Sequence, residues 1–179
     1  LLLSAALTHN ARGKLALAES ECLKAAPLLS KVGAFHYATY SFHVNRHLQQ
    51  VIGSSDAEVK FAREVLSLAT SVGNPLHQCW GNYDIASGLS RAGKLGAAMS
   101  QIEIARDLLN QSGSVPITRS IFLTTEGYVR LQASDYEGAT QSCEEAWRIC
   151  RNSMAYMEYN VRSLPQLIEV ISGPNWTTV

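Results

Sequence analysis

The sequence predicts an all-α fold built from repeated pairs of helices. One pattern of five small or apolar positions occurs four times with the same internal spacing, and its copies start 44, 36 and 41 residues apart. A repeat length in this range is typical of helical arrays. The four copies are Leu15-Ala18-Cys22-Ala25-Leu28, Val59-Ala62-Leu66-Ala69-Val72, Leu95-Ala98-Ile102-Ala105-Leu108 and Tyr136-Ala139-Cys143-Ala146-Ile149.

The spacing within each copy places all five positions on one face of a helix. Steps of 3, 4, 3 and 3 residues follow the helical period. Two alanines in this face leave room for a second helix to come close, and the larger residues fill the space beside them. We therefore expect Ala98 and Ala139 to lie at close helix–helix contacts.

Turn residues precede the pattern and indicate a second helix upstream. Gly13, Gly93 and Ser134 lie two residues before three of the copies, and Ala57 holds that place in the other. Glycine suits a tight turn between antiparallel helices. Further apolar runs with a small residue inside them lie upstream, at Ile85-Ala86-Leu89 and at Leu123, Gly127 and Leu131. Each unit is therefore predicted to be helix, turn, helix.

The elements follow in order along the chain. Four units and a final helix are predicted near 2–12 and 14–31, 35–51 and 57–72, 76–91 and 94–111, 117–132 and 135–151, and 153–171. Asp56 is the predicted N-cap of the fourth helix, and Pro165 should kink or delay the last one. One continuous array should span 1–172, followed by a loose tail at 173–179.

Composition narrows the classes of partner. The chain has 179 residues, of which 46% are hydrophobic, enough for a sizeable core. Its 15 Lys and Arg equal its 15 Asp and Glu, which argues against nucleic acid as a partner. Since no apolar run approaches the roughly 20 residues that span a bilayer, no membrane partner is predicted. The chain opens on LLLSAALTHN without Met or a signal-peptide pattern, and we expect a cytoplasmic fragment of a larger protein.

The cysteines are predicted to be structural. None of the four forms a CxxC pair, and Cys22 and Cys143 occupy the same position of the repeat, where a small apolar residue is expected. Free, buried or half-buried thiols in a reducing compartment are the prediction. A disulfide is the alternative.

Signals of catalysis are poor, and neither an enzyme nor a cofactor is predicted. The sequence lacks a P-loop, GxGxxG, GxSxG and HExxH. His36, His43 and His47 are separated by 7 and 4 residues and share one helical face. A shared metal is one interpretation of that face. No carboxylate or cysteine motif accompanies it, so ordinary histidines of an amphipathic helix are the prediction.

The units resemble tetratricopeptide repeats over about residues 1 to 150. The third unit carries the resemblance best, through Ala86, Gly93, Leu95, Ala98, Ile102 and Ala105. The usual Trp and Pro of that family are missing from their places, and the repeat is longer than its ~34 residues. The resemblance implies a right-handed α-solenoid of antiparallel helix pairs. Long repeats of this kind, with the joint LATSVGNPLHQCW, are also similar to arrays attached to signalling ATPases and nucleotide cyclases.

The resemblance also implies a binding surface. In that family the concave wall comes from the first helix of each unit, at positions between the packing residues. Aromatic residues and Arg on such a wall are typical of binding hot spots. For Trp80 and Tyr83 the alternative is that they pack between repeats. Carried over by position, the predicted partner-binding residues are Asn45, Arg46, Trp80, Tyr83, Asp84, Ser87, Arg91, Thr125, Tyr128 and Gln132.

Two functions remain open after the sequence analysis. The first is an interaction scaffold that binds a peptide or a partner helix in the concave groove. The second is a regulatory segment of a larger signalling ATPase or nucleotide cyclase, which would contact other domains of its own chain. Domains that flank this segment would distinguish the two.

Overall fold

The computed structural model describes residues 1–113 and 116–150, with the side chains of Ile117 and Cys150 excepted. Within these ranges the chain forms helices only, which confirms the all-α prediction. The predicted helix at 153–171 and the tail at 173–179 lie outside the described residues. The eight helices are α1 (Leu2–Ala11), α2 (Leu15–Lys31), α3 (Phe35–Ile52), α4 (Ser55–Ser71), α5 (Pro75–Arg91), α6 (Leu95–Gln111), α7 (Pro116–Gln132) and α8 (Tyr136–Cys150).

Each helix packs against the next one along the chain. The odd-numbered helices also contact one another, α1 with α3, α3 with α5 and α5 with α7. The first helices of the units therefore lie side by side, and residues far apart in the sequence meet between them. None of the helices in the described ranges combines the length and apolarity needed to cross a bilayer.

A left-handed residue ends almost every helix, and glycine provides it at regular intervals. In the turn after α3, the amides of Gly53 and Ser54 both donate to the Gln49 carbonyl, at 2.9 Å each. Such a turn needs positive φ, which glycine adopts without a Cβ clash. Ser134 takes this role before α8, with φ of 61°. The glycines with positive φ recur every 20 residues, at Gly13, Gly33, Gly53, Gly73, Gly93 and Gly113.

The start of α4 differs from the prediction. Gly53 makes the turn, and the helix begins at Ser55 rather than at the predicted residue 57. Ser54 precedes the helix, and Asp56 lies in its first turn rather than at the cap, so the N-cap assignment was wrong. A negative side chain in a first turn still interacts favourably with the helix dipole.

The repeat is more regular in the structure than in the sequence pattern. The second helices begin at Leu15, Ser55, Leu95 and Tyr136, which are 40, 40 and 41 residues apart. The apolar pattern in α4 therefore starts one helical turn later than in its counterparts. As a result Glu58 occupies the position that Ala18, Ala98 and Ala139 hold in the other second helices, three residues after the helix start.

The alanine face forms the core, as predicted. Ala18, Ala98 and Ala139 are fully buried. The last position of the pattern is less regular, because Leu28 is 56% exposed and Val72 is 38% exposed. Leu28 lies in the last turn of α2 and Val72 lies beyond the end of α4, so their assignment to the core was wrong.

Glycines inside the first helices mark the closest helix contacts. A Cβ at Gly127 would lie 2.6 Å from Cys143 Sγ, and a Cβ at Gly88 would lie 2.6 Å from Val59 Cγ2. Both distances are too short for non-bonded atoms, so a side chain or a helix would have to shift to admit the Cβ. The first and second helices therefore pack closely at these two glycines.

The prediction of free thiols is confirmed for three of the cysteines, while the side chain of Cys150 lies outside the described part. Cys22, Cys79 and Cys143 are free and buried. Burial raises the pKa of Cys22 to about 11, and the charge of Glu21 adds to the effect. Burial likewise raises the pKa of Cys143 to about 11, with smaller contributions from Glu126 and Glu144. These thiols stay protonated at neutral pH and act as small core residues.

Candidate binding cleft between the first helices

A cleft of about 660 Å³ lies between α3, α5 and α7. We call it the α3–α5–α7 cleft. It exists because three first helices lie side by side and each contributes one face. Its lining combines aromatic, charged, amide and hydroxyl side chains: His43, Arg46, His47, Gln50, Trp80, Asp84, Ser87, Ser90, Arg91, Thr118, Ile121, Phe122, Thr124, Thr125, Tyr128, Val129 and Gln132.

The lining residues follow the helical period. On α5 the face runs through Trp80, Asp84, Ser87 and Arg91, in steps of 4, 3 and 4 residues. At 1.5 Å per residue this face is roughly 16 Å long. The aromatic side chain therefore lies near one end of the cleft and the Arg91 guanidinium near the other.

Most of the predicted partner-binding residues do line the cleft. Eight of the ten meet there, although they come from three helices spread over almost ninety residues of sequence. Whether they bind a partner stays a prediction. The eight are Arg46, Trp80, Asp84, Ser87, Arg91, Thr125, Tyr128 and Gln132.

Asn45 and Tyr83 are corrections to the predicted surface. Asn45 is 0% exposed and Tyr83 is 1% exposed, so neither faces the cleft. The Tyr83 ring stacks on Phe122 with centroids 4.6 Å apart, and its hydroxyl donates to Glu126 over 3.4 Å. Packing between repeats, the alternative considered for Tyr83, is what the structure shows. Both residues lie one position along their helix from true lining residues, Arg46 and Asp84.

Trp80 joins the walls of the cleft at its aromatic end. Its ring lies 5.7 Å from the His43 ring of α3 and 6.3 Å from the Phe122 ring of α7, measured between centroids. It also meets His77 edge-on at 4.6 Å. Tilted and edge-to-face contacts at these distances are favourable for aromatic rings. Trp80 is partly buried against the core and also lines the cleft.

A network of charges joins α3, α4 and α5 beside the cleft. Arg46 bridges two carboxylates: its Nη1 lies 3.4 Å from Glu58 Oε1 and its Nη2 lies 3.1 Å from Asp84 Oδ1. The second Glu58 oxygen pairs with Arg91, and the second Asp84 oxygen lies 2.8 Å from His43 Nδ1. Both carboxylates are therefore occupied at both oxygens by the chain itself.

The network shifts the titration of its members. Burial by itself would raise the pKa of Asp84, but Arg46 and His43 outweigh it, so this pKa is lowered. Burial, with the charges of Arg46 and His43, lowers the pKa of His47, which opposes its protonation. Burial also lowers the pKa of Arg91, with a further contribution from the like charge of Arg46.

Glu58 is the functional candidate that the sequence analysis missed. The predicted apolar pattern in this helix starts at Val59, so Glu58, the residue before it, was given no role. The signal was nevertheless present, because the 20-residue spacing of the turn glycines places the start of α4 at Ser55. With that register Glu58 lies on the buried face and needs a partner there.

A second buried carboxylate provides an internal comparison. Glu126 of α7 is 0% exposed and is held by Arg106 of α6, at 2.9 Å, and by Arg130, at 2.7 Å. Tyr83 donates a further hydrogen bond to it. Neither of these arginines lines the α3–α5–α7 cleft. Glu126 therefore resembles Glu58 in burial and pairing but not in location.

The three histidines of α3 lie in different surroundings. His36 Nδ1 lies 2.9 Å from His77 Nε2, whereas His43 contacts Asp84 and His47 lines the cleft. Across residues 1–113 and 116–150, no three His, Cys, Asp or Glu side chains come together as a metal site would require.

No protein-family model matches this chain, and its comparison with curated proteins finds no significant match.

Proposed function

We propose that this chain is an interaction module, a tetratricopeptide-like solenoid that binds a peptide segment or a partner helix in the α3–α5–α7 cleft. One observation carries the proposal. Same-face residues of three separate helices converge on a cavity of about 660 Å³ that combines aromatic, charged and neutral polar side chains. Tyr128 is 44% exposed there, and aromatic side chains of this kind supply much of the energy of binding surfaces.

The length of the cleft suits a short segment. Its α5 face is roughly 16 Å long. About five residues of extended chain, or about eleven residues of helix, cover that distance. The ligand proposed here is therefore one continuous stretch of a partner protein.

A second candidate, a regulatory segment that contacts other domains of a larger chain, is favoured by a different surface. Four large apolar residues around α2 are exposed: Leu17, Leu23, Leu28 and Val32, at 50%, 45%, 56% and 76%. Exposed apolar side chains can mark a surface that another protein or domain covers. These residues lie on or next to a helix that contributes nothing to the cleft lining, so the two candidates can be tested separately.

Selection from a random peptide library tests the first candidate. Twelve-residue peptides displayed on phage are selected on the purified chain and then measured against Tyr128→Ala. We expect at least a tenfold loss of affinity, because an anchor at such a surface typically contributes about 2 kcal/mol. The matched control is Glu144→Ala on α8, which is exposed and distant from the cleft lining. Peptides that lose affinity only with the Glu144 variant would place binding on the other face and contradict the proposal.

A further inference from the structure

We propose that the α3–α5–α7 cleft selects uncharged peptide segments. The buried Glu58 determines this specificity, because it neutralises the arginines of the cleft from their buried side. The inference rests on the proposed function of the cleft and specifies its ligand. An arginine-lined cleft would ordinarily suggest an acidic ligand. Here the contacts of the arginines argue for the opposite.

The first step is the balance of charge. Arg46 and Arg91 line the cleft, and both contact Glu58, which is 0% exposed. Arg46 also contacts Asp84, which is 7% exposed. Among the described residues around the network, two guanidinium groups thus meet two carboxylates.

The second step is the competition that a charged ligand would meet. An acidic side chain loses its hydration on entering the cleft, and the arginines that it meets there are already neutralised by Glu58 and Asp84. A basic side chain would need Asp84, whose two oxygens are occupied by Arg46 and His43. Charge of either sign therefore adds little to affinity.

The third step is what remains accessible in the lining. Trp80 and Ile121 offer apolar contact near one end of the cleft. Thr125 and Gln132 take no part in the ion pairs. The Thr125 hydroxyl donates to the Ile121 carbonyl and the Gln132 oxygen accepts from Ser90, so the Thr125 oxygen can accept from a ligand and the Gln132 amide N–H groups can donate to it. These groups match a segment with an aromatic or aliphatic anchor followed by amide or hydroxyl side chains.

The position of Glu58 gives it control over both arginines. It projects from α4, a second helix, at the place where Ala18 and Ala98 stand in their own helices. From there one carboxylate reaches Arg46 of α3 and Arg91 of α5. Glu58→Gln keeps the size of the side chain and removes its charge, so the cleft should become cationic.

The experiment compares peptide selection by three proteins at pH 8, where histidines of ordinary pKa are neutral. The wild type, Glu58→Gln and Glu126→Gln are each used to select from the same random phage library. The wild type should enrich aromatic and neutral polar peptides, with affinities that change less than twofold between 50 and 500 mM NaCl. Glu58→Gln should enrich Asp and Glu, and bind such peptides at least tenfold more tightly than the wild type, with strong salt dependence.

Glu126→Gln is the matched control, since it also removes a fully buried carboxylate held by two arginines. It should lower stability without changing the selected sequences. If Glu58→Gln does not fold by circular dichroism, Asp84→Asn removes a charge from the other partner of Arg46 and should shift selection the same way.

The outcomes separate the inference from the proposed function. Acidic peptides selected by the wild type, with affinity that falls steeply with salt, would overturn the inference and leave the cleft as the binding site. Unchanged selection by a folded Glu58→Gln would overturn it too. Selected peptides that are insensitive to Tyr128→Ala would instead remove the proposed cleft function itself.

Discussion

Glu58 of α4 and Arg91 of α5, which are 33 residues apart in the sequence, form an ion pair across the interface of their two helices. Glu58 is fully buried, while the Arg91 side chain keeps 30% of its surface exposed. The pair thus connects the interior of the helix array to the wall of the cleft. Its two ends are not equivalent, because the carboxylate is shielded from water by two arginines whereas the Arg91 guanidinium is partly exposed.

Replacing Glu58 should therefore destabilise the fold markedly. In Glu58→Ala the buried ends of Arg46 and Arg91 lose their common partner, and we expect a loss of about 3 kcal/mol in the free energy of unfolding. Urea denaturation measures it. Glu64→Ala, on the exposed face of the same helix, is the control and should stay within about 0.5 kcal/mol of the wild type. Equal stability of the two variants would mean that Glu58 is solvated.

Ala98→Leu should lower stability through overpacking. Ala98 is fully buried on α6, in the core cluster that includes Ile102 and Tyr83. Three added carbon atoms should cost about 1–3 kcal/mol. Ala97→Leu places the same side chain on the exposed neighbouring position and should change little. If the two variants had the same melting temperature, Ala98 would not lie on the buried face of α6.

Gly127→Ala should destabilise the protein through a steric clash with Cys143, and a second substitution can test that cause. The new Cβ would lie 2.6 Å from Cys143 Sγ, so the Cys143 side chain or the two helices must shift, at a cost of about 1–3 kcal/mol. Cys143→Ala removes that sulfur and should restore part of the loss, which a double-mutant cycle measures. Strictly additive effects would contradict the contact.

Acidification should weaken the fold through His77 before the carboxylates titrate. Burial lowers the pKa of His77 to about 4, and the charges of His36 and His43 add to the effect. Because an unfolded His binds its proton near pH 6.5, the unfolded state holds more protons between pH 6.5 and 4, and stability falls as the pH falls through this window. Below pH 4 the protonation of His77 lowers the free energy of unfolding by about 3 kcal/mol in total.

Urea denaturation at pH 7 and pH 5 tests the role of His77 with His77→Gln as the control. The lowered pKa of His47 acts in the same direction and remains in the variant. The variant should therefore lose less stability than the wild type between the two pH values. Equal losses would assign the pH dependence to other groups.

The helices and their packing faces could be predicted from the sequence, because they depend on interactions between residues that are close along the chain. Helical periodicity and turn residues depend on neighbours within a few positions, so the predicted bounds of α2 and α6 agree with the structure to within one residue. The burial of Ala98 and Ala139 follows from the same periodicity. Eight of the 17 cleft residues were also predicted, because a wall made of first helices requires only the helix order and the face.

The tertiary structure decided the rest, because the deciding contacts join residues that are distant in the chain. α5 is in contact with α3, α4, α6 and α7, so nearly all sides of it are covered and its sequence shows no clear polar face. A rotation by one residue, about 100° of helix turn, separates buried Tyr83 from the cleft residue Asp84. Likewise Glu58 is an ordinary polar residue by sequence, and only the arrival of Arg46 and Arg91 from two other helices allows its charge to be buried.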